Sequence, residues 1–587
     1  MRDRKLLQNE KDCSGVDESH AAVETFYSQR NDKMEENVNV IRNKLYTEKE
    51  ISDSKEMGRK LISINKALAP YRTVIGTIMQ SAFDASFLPM EESDEAISEI
   101  LQKLAIFESE RNNDFSDNTK MCQNAYVMAR AYRYNWIEQG NDSKPRIRSK
   151  VLNPFAVYFD PDSADVIARQ DAEFVDVVHW LSYNELIEAF PDAEGKIDAT
   201  SKEDRNLTDY YETYDKSANR LHETMDEING KFKVIERYYR VRAQGQEQLY
   251  LAVWAPNRLT DNSFLYNGPY HVQPIDADTK KAMFPIVELV TDNIMGESDG
   301  FVEFLKDPVK IISLLFTQLL EAAKHSGTGY EVDRSKYAND EEADRAMKYG
   351  AFANQRYEMK ENQAGNGMRP VQALQTPQPN INALANATQF IDEISSAPKA
   401  LQGVSESAST PASLNAQRIE QASTQLAMFL GFYKQYLKQT LKLRYAYWRE
   451  SYSQEMTFRI TAPEGGQEFV TMNQLVPQMG YNNLPTGEVQ KLNDISAAEF
   501  DVVISDSYRS PTYAMKMTGI INDLLQNPAI AQNPNIAPLL VDELFRLSDA
   551  PQELKQKFKQ QMEMQAMQQQ AMMQTQQPQT PPMAGVA

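Results

Sequence analysis

Leu61, Ile64, Leu68, Val74, Ile75 and Ile78 recur at helical intervals, which predicts a helix from about Lys55 to Phe83. A second helix is expected over roughly 91–109. A third should begin at Ser116 or Asp117, whose side chains suit an N-cap, and stop at Gly140. The pattern then shortens its period. "RIRSKVLNPFAVYFDPDS" (146–163), β-branched and aromatic between Pro and Asp, predicts strands joined by a turn, and "FKVIERYYRVRAQGQEQLYLAVW" (232–254) predicts a hairpin turning near Gly245. Helices followed by strands predict an α+β domain over most of 56–295. Residues 1–55 are charged with a weak core-facing pattern and are expected to form a peripheral arm.

The centre of the chain differs. In "KDPVKIISLLFTQLLEAAKHSG" (306–327) Asp307 suits an N-cap, Pro308 the first helical position and Gly327 the C-terminal cap. Val309, Ile311, Ile312, Leu314, Leu315, Phe316, Leu319 and Leu320 lie nearly all round this helix, and a helix apolar on every side is buried in a core, a membrane or an assembly. Lys310, Ser313, Thr317 and Gln318 argue against the membrane. Residues 327–380 read as a small α/β excursion. A helix returns over 381–394, with Ile381, Leu384, Phe390, Ile391 and Ile394 on one stripe.

"SSAPKALQGVSESASTPAS" (395–413) then interrupts the helical region with almost nothing to bury, and Pro398 and Gly403 oppose continuous helix. After Thr410 and Pro411 no proline occurs until Pro463, so a helix over 412–450 would extend on the order of 55–60 Å. "MTFRITAPEGGQEFVTM" (456–472) reads as a hairpin, "EFDVVISDS" (499–507) as a strand, and the stretches beginning at Ser510 and Ala537 as helices. The last residues are a Gln/Met-rich tail.

The formal charge is −21, placed as −16 over 1–300, −1 over 301–380, +2 over 381–453 and −6 over 454–587. An acidic chain lacks the clustered Lys and Arg of a tight DNA binder. It suits a surface past which nucleic acid slides without sticking. Cys13 and Cys122 form no metal-ligand pair and no disulfide framework, which fits a reducing compartment. No signal peptide and no apolar run of about 18 residues is recognised, so no membrane partner is expected.

Catalytic motifs are missing. No GxxxxGK[ST] occurs to cradle a nucleotide phosphate. Asp160, Asp162 and Asp165 resemble the start of a calcium loop, but the sixth-position Gly and the twelfth-position Glu are lacking, Asp171 standing at the latter. They read as an acidic turn. The histidines at 20, 179, 222, 271 and 325 form no zinc pair, and His179 is expected to pack on a strand. Glu341 and Glu342 read as a solvated face. No cofactor, metal or active site is expected.

Three stretches, taken in order, resemble the portal (head-to-tail connector) proteins of tailed bacteriophages, closest to those of short-tailed phages. They are "VLNPFAVYFDPDSADVIARQDAEFVDVVHWLSYNELIEAFPD" (151–192), "PIVELVTDNIMGESDGFVEFLKDPVKIISLLFTQLLEA" (285–322) and "KLNDISAAEFDVVISDSYRSPTYAMKMTGIINDLL" (491–525). The resemblance covers roughly 56–545 and implies an α+β protomer of a ring-forming homo-oligomer, typically of twelve subunits, around a DNA channel. It implies an arm (1–55), a wing (56–305), stem helices (306–326 and 381–394) flanking a clip (327–380), and a tunnel loop (395–411). A long helix (412–453), wing strands (454–510), crown helices (511–560) and the tail (561–587) follow. It further implies stem packing through Ile312, Leu315, Phe316 and Leu319, partner binding at the clip through Arg334, Lys336, Lys348, Arg356 and Lys360, and DNA contact at the loop through Lys399, Gln402, Ser405, Glu406 and Ser407.

The partners so implied are double-stranded DNA, a terminase packaging motor, a head-tail adaptor, and major capsid and scaffolding proteins. The place implied is the unique capsid vertex, reached through the host cytoplasm. The rival from another class is a metal-dependent nucleic-acid hydrolase, which needs converging carboxylates that no stretch of the sequence assembles.

Overall fold

A computed structural model describes residues 12–506 except 81–82, 90–94, 140–144, 195–230, 244–245, 257–261, 326–329, 350–357, 361–366, 371–377, 396–411, 453–454, 462–466, 480–484, 493–494 and 496–499, together with a few positions between 518 and 544. The expected tunnel loop apart from Ser395, most of the crown helices and the tail lie outside the described residues.

The order begins with helices α1 (Ser14–Phe26), α2 (Ser28–Ile41), α3 (Glu48–Glu56) and α4 (Leu68–Gln80), then strand β1 (Phe83–Pro89), then α5 (Glu95–Arg111) and α6 (Asp114–Met128). Strands β2 (Arg130–Gln139), β3 (Pro145–Leu152), β4 (Val157–Phe159) and β5 (Phe174–Ser182), the short helix α7 (Tyr183–Ala189), and strands β6 (Lys231–Ala243), β7 (Gln246–Trp254), β8 (Tyr266–Pro269) and β9 (Ile286–Val290) follow. They form two antiparallel sheets, β3-β2-β9 and β4-β5-β6-β7-β8. The mixed helix-and-sheet class agrees with the α+β expectation.

The second half carries α8 (Phe301–His325), β10 (Tyr330–Val332), α9 (Asp340–Tyr349), β11 (Met368–Pro370), α10 (Gln378–Ile394) and α11 (Ala412–Ser451). Two hairpins, β12 (Met456–Thr461) with β13 (Gln467–Met472) and β14 (Gln474–Met479) with β15 (Pro485–Leu492), precede β16 (Phe500–Asp506).

Four expectations are corrected. The helix expected from Lys55 is broken: Gly58 takes φ +68° after α3, and the chain runs extended until Ala67. There Ile62 N–H and Ile64 N–H donate to the hydroxyls of Thr317 (3.1 Å) and Ser313 (3.0 Å) on α8. Those bonds satisfy an extended backbone that a helix would satisfy internally. Phe83, expected to end a helix, instead opens β1, which pairs antiparallel with β16 more than 400 residues on (Phe83 opposite Asp506, Pro89 opposite Phe500).

The helix expected to reach Gly140 ends at Ala129, φ +67°, and β2 takes over. Its backbone is claimed on both sides by β3 and β9, and long-range pairing overrides local propensity. Nor does α8 start at Asp307; it starts at Phe301 and passes through Pro308. Val302 and Leu305 are fully buried and Phe301 stacks on Tyr126 with ring centroids 4.9 Å apart. Burial of that first turn outweighs the roughly 3 kcal/mol that a proline inside a helix costs.

The arm, finally, is not peripheral over its described part. Cys13, Val16, His20 and Val23 are buried against the five-stranded sheet, and Met34, Val38 and Val40 of α2 join the main core. Neither cysteine is in a disulfide, and both are buried.

Candidate assembly surface

The helix that the sequence marks as apolar all round is covered on one side only. Val302, Leu305, Val309 and Ile312 face the core, while Phe304 (53% exposed), Ile311 (49%) and Leu314 (37%) form an uncovered apolar strip on the opposite side. Towards the C-terminal end Phe316 and Leu320 are also exposed, although their positions continue the core side. Of the residues expected to pack the stem, Ile312 is therefore buried within its own protomer, Leu315 and Leu319 are half-buried, and Phe316 is exposed.

The covered side is fastened by polar groups as well as by packing. Lys310 Nζ lies 2.7 Å from Glu50, whose carboxylate also accepts from Thr47 N–H in the capping box of α3. Burial works against ionised Glu50, but Lys310 and Thr47 more than offset it and hold its carboxyl below the usual range. Lys306 Nζ bridges Glu36 (2.9 Å) and Glu303 (2.7 Å). Helix α10 returns along α8: Ala387 and Ile391 are buried, and Asn380 Nδ2 donates to Gln318 (3.2 Å). Phe390 and Ile394 remain exposed.

Between these helices β10 pairs with β11, and α9 packs through Ala343 and Ala346 in one cluster with Tyr337, Val332 and Met368. Four of the five expected clip residues come together on this unit. Arg334 lies 2.5 Å from Asp344, Lys336 lies 4.0 Å from Asp333, Lys360 N–H donates to the carbonyl of Lys336 (3.0 Å), and Lys348 is exposed in the last turn of α9. Arg356 lies outside the described residues, as do Lys399, Gln402, Ser405, Glu406 and Ser407.

Sequence reasoning missed three buried charge networks that join elements distant in the chain. Asp114, at the start of α6, receives the guanidinium groups of Arg133 on β2 and Arg444 on α11 (2.6 Å and 2.9 Å to the latter). Burial opposes its charge, yet the two arginines override it and hold the carboxyl at about 2. Glu288 on β9 sits between Arg130 (2.6 Å) and Arg169 (2.7 Å). Asp176 on β5 takes both Arg237 nitrogens at 2.6 Å and His20 Nδ1 at 2.9 Å. Burial raises its carboxyl, but Arg237 and then His20 bring it below the usual range. The available signal was the pair Arg130 and Arg133 in "RAYRYNW": three positions apart, they fall on opposite faces of an aromatic strand, so a period-2 reading cannot assign both to solvent.

The acidic turn at Asp160 reads as expected. Asp160 accepts from Asp162 N–H and Glu173 N–H, and Asp171 from Ser163 Oγ, Ala164 N–H and Asp165 N–H, so these carboxylates are engaged by the turn itself. Among the described residues no group of three His, Cys, Asp or Glu side chains is placed to hold a metal ion, and no helix is long and apolar enough to cross a membrane. His222 lies outside the described residues.

His179, half-buried on β5, lies 3.3 Å from Glu236 on β6. Burial and Lys150 favour the neutral ring, but Glu236 prevails and raises its pKa. The folded state therefore binds the proton more tightly than the unfolded chain, and this contribution is complete below about pH 6.5 and lost as pH rises through the folded value. His179→Gln should cost about 0.5–1 kcal/mol at pH 5.5, and the difference from the unsubstituted chain in urea denaturation should disappear by pH 9. A difference independent of pH would contradict the pairing.

No curated protein matches the chain. The family model described as phage P22-like portal protein matches residues 18–587, through the wholly buried strands, the half-covered helix α8 and the chain beyond. On that match across nearly its full length, the chain belongs to the phage P22-like portal protein family.

Proposed function

We propose that this chain forms the portal ring at one capsid vertex, a non-enzymatic conduit of twelve subunits through which double-stranded DNA is packaged and ejected. The observation that carries this reading is the uncovered strip Phe304, Ile311 and Leu314 on α8. A folded protomer gains nothing by holding three large apolar side chains in water, and a neighbour around a closed ring would cover them. The excess of acidic residues over 1–300 suits a conduit that does not retain DNA by counterion release.

In this reading α8 and α10 are the stem and residues 395–411 the tunnel loop, with Lys399, Gln402, Ser405, Glu406 and Ser407 near the passing strand. The unit carrying Arg334, Lys336, Lys348, Arg356 and Lys360 is the clip. The packaging motor and later the head-tail adaptor dock there, and capsid and scaffolding proteins surround the ring.

The test is negative-stain imaging of the purified full chain. Rings with a central hole and a single subunit number are expected. Compact particles of protomer size at micromolar concentration would defeat the proposal.

A further inference from the structure

Between β9 and α8 the chain makes a two-residue turn. Ile294 N–H donates to the Glu297 carbonyl (2.8 Å) and Glu297 N–H to the Ile294 carbonyl (3.1 Å), with Met295 at φ +55° and Gly296 at φ +87° between them. Two successive positive φ values define a turn whose first central position favours Asn, Asp or Gly. Here that position holds methionine, 99% exposed, beside Ile294 at 71%. Local preference and solvent both oppose this arrangement, and such violations concentrate at functional positions.

The turn is nevertheless held rigidly. Arg130, clamped by Glu288, donates through Nη2 to the Gly296 carbonyl (2.7 Å). Arg169, on the other oxygen of Glu288, donates to the Ser163 carbonyl (3.3 Å), in the loop that lies against Gly296. Asn293 Oδ1 accepts from Gly296 N–H (3.0 Å), and Thr291 Oγ1 donates to the Asp299 carbonyl (2.7 Å). Gly300, immediately before α8, packs so closely on Val127 that a Cβ would stand 2.7 Å from its carbonyl oxygen. A buried Arg–Glu–Arg triad thus fixes an apolar tip to the base of the helix that bears the uncovered strip.

We infer that the Ile294–Met295 tip is an intersubunit knob that inserts into the adjacent copy of this chain. The inference rests on the ring reading above. Asp292 and Glu297 flank the tip and repel a phosphate backbone, while Asp299 beyond them pairs with Lys33 (3.6 Å), and a protein surface is the occupant that fits an apolar tip in this setting. A closed ring built from heterologous contacts presents two different faces of each protomer to its neighbours. This tip is continuous with α8, the element already assigned to that contact.

Met295→Asn separates this role from a structural one, because asparagine suits the left-handed position and removes the apolar group. The expected result is a protomer at least as resistant to urea as the unsubstituted chain, with the concentration for half-dissociation of rings, read by sedimentation, raised about tenfold or more. In Met295→Cys the new thiol should alkylate about tenfold more slowly in rings than in protomers dissociated by dilution, the two native cysteines being buried. Rings whose concentration dependence is unchanged by Met295→Asn, or a thiol equally reactive in both states, would overturn the knob and leave the ring reading standing. An unsubstituted chain that forms no rings would overturn both.

Discussion

Replacing Asp114 by alanine is expected to destabilise the folded chain by about 3–5 kcal/mol, the cost of leaving buried charge uncompensated. Arg133 and Arg444 are both nearly inaccessible to water, and each is anchored on Asp114 from a different element, β2 and α11. Asn118 Oδ1 accepts from Arg133 (3.1 Å) and from Tyr436 Oη (3.0 Å) without carrying charge, and Asp117, 3.9 Å from Arg133, is at the outer limit of an ion pair and offsets only part of two guanidinium charges. The effect carries a pH signature. The Asp114 carboxyl is held at about 2, so its contribution is complete above roughly pH 3.8 and is lost as pH falls through the folded value. Urea denaturation should therefore show a gap between Asp114→Ala and the unsubstituted chain that persists at pH 5 and narrows below pH 3. Replacing all three residues with apolar ones of similar volume should recover most of the loss, since a buried ion network contributes little net stability. An Asp114→Ala chain within about 0.5 kcal/mol of the original would show that the arginines find water or other acceptors.

The second large effect concerns assembly. Ile311→Asp combined with Leu314→Asp should abolish rings and leave folded protomers. Both side chains are exposed in the protomer, so carboxylates there remain hydrated and should change its stability by about 0.5 kcal/mol or less each. In the ring each would be buried against a neighbour without a cation, a penalty of several kcal/mol per ion repeated at every interface. Sedimentation should then report a single species of about 67 kDa in place of the ring. Circular dichroism should be unchanged. Ile312→Asp is the contrasting control: with that side chain 1% exposed inside the protomer, the chain itself should fail to fold. Full-size rings from the double variant would place the intersubunit contact elsewhere.

Much of the local structure was determined by the sequence alone. The β6–β7 hairpin, the strands β4 and β5, the extent of α11 and the apolar character of α8 follow from period, caps and proline spacing, which act within a few residues. The tertiary structure decided the rest, for reasons that lie far away along the chain. Residues 61–65 are extended because Thr317 and Ser313 take the amides of Ile62 and Ile64, and Phe83–Pro89 is a strand because β16 supplies its partner. Helix α8 runs through Pro308 because Tyr126 and the core reward burial of the turn before it. Arg130, Arg133, Arg237 and their carboxylates are 158, 19 and 61 positions apart in their closest pairings, distances over which no periodicity speaks. The turn at Met295 runs against local preference outright. Sequence determines what each segment can bury, but which polar group meets which, and which apolar face is left for a neighbour, is settled only when the layers close, because hydrogen bonds and ion pairs act across about 3 Å of space regardless of chain separation.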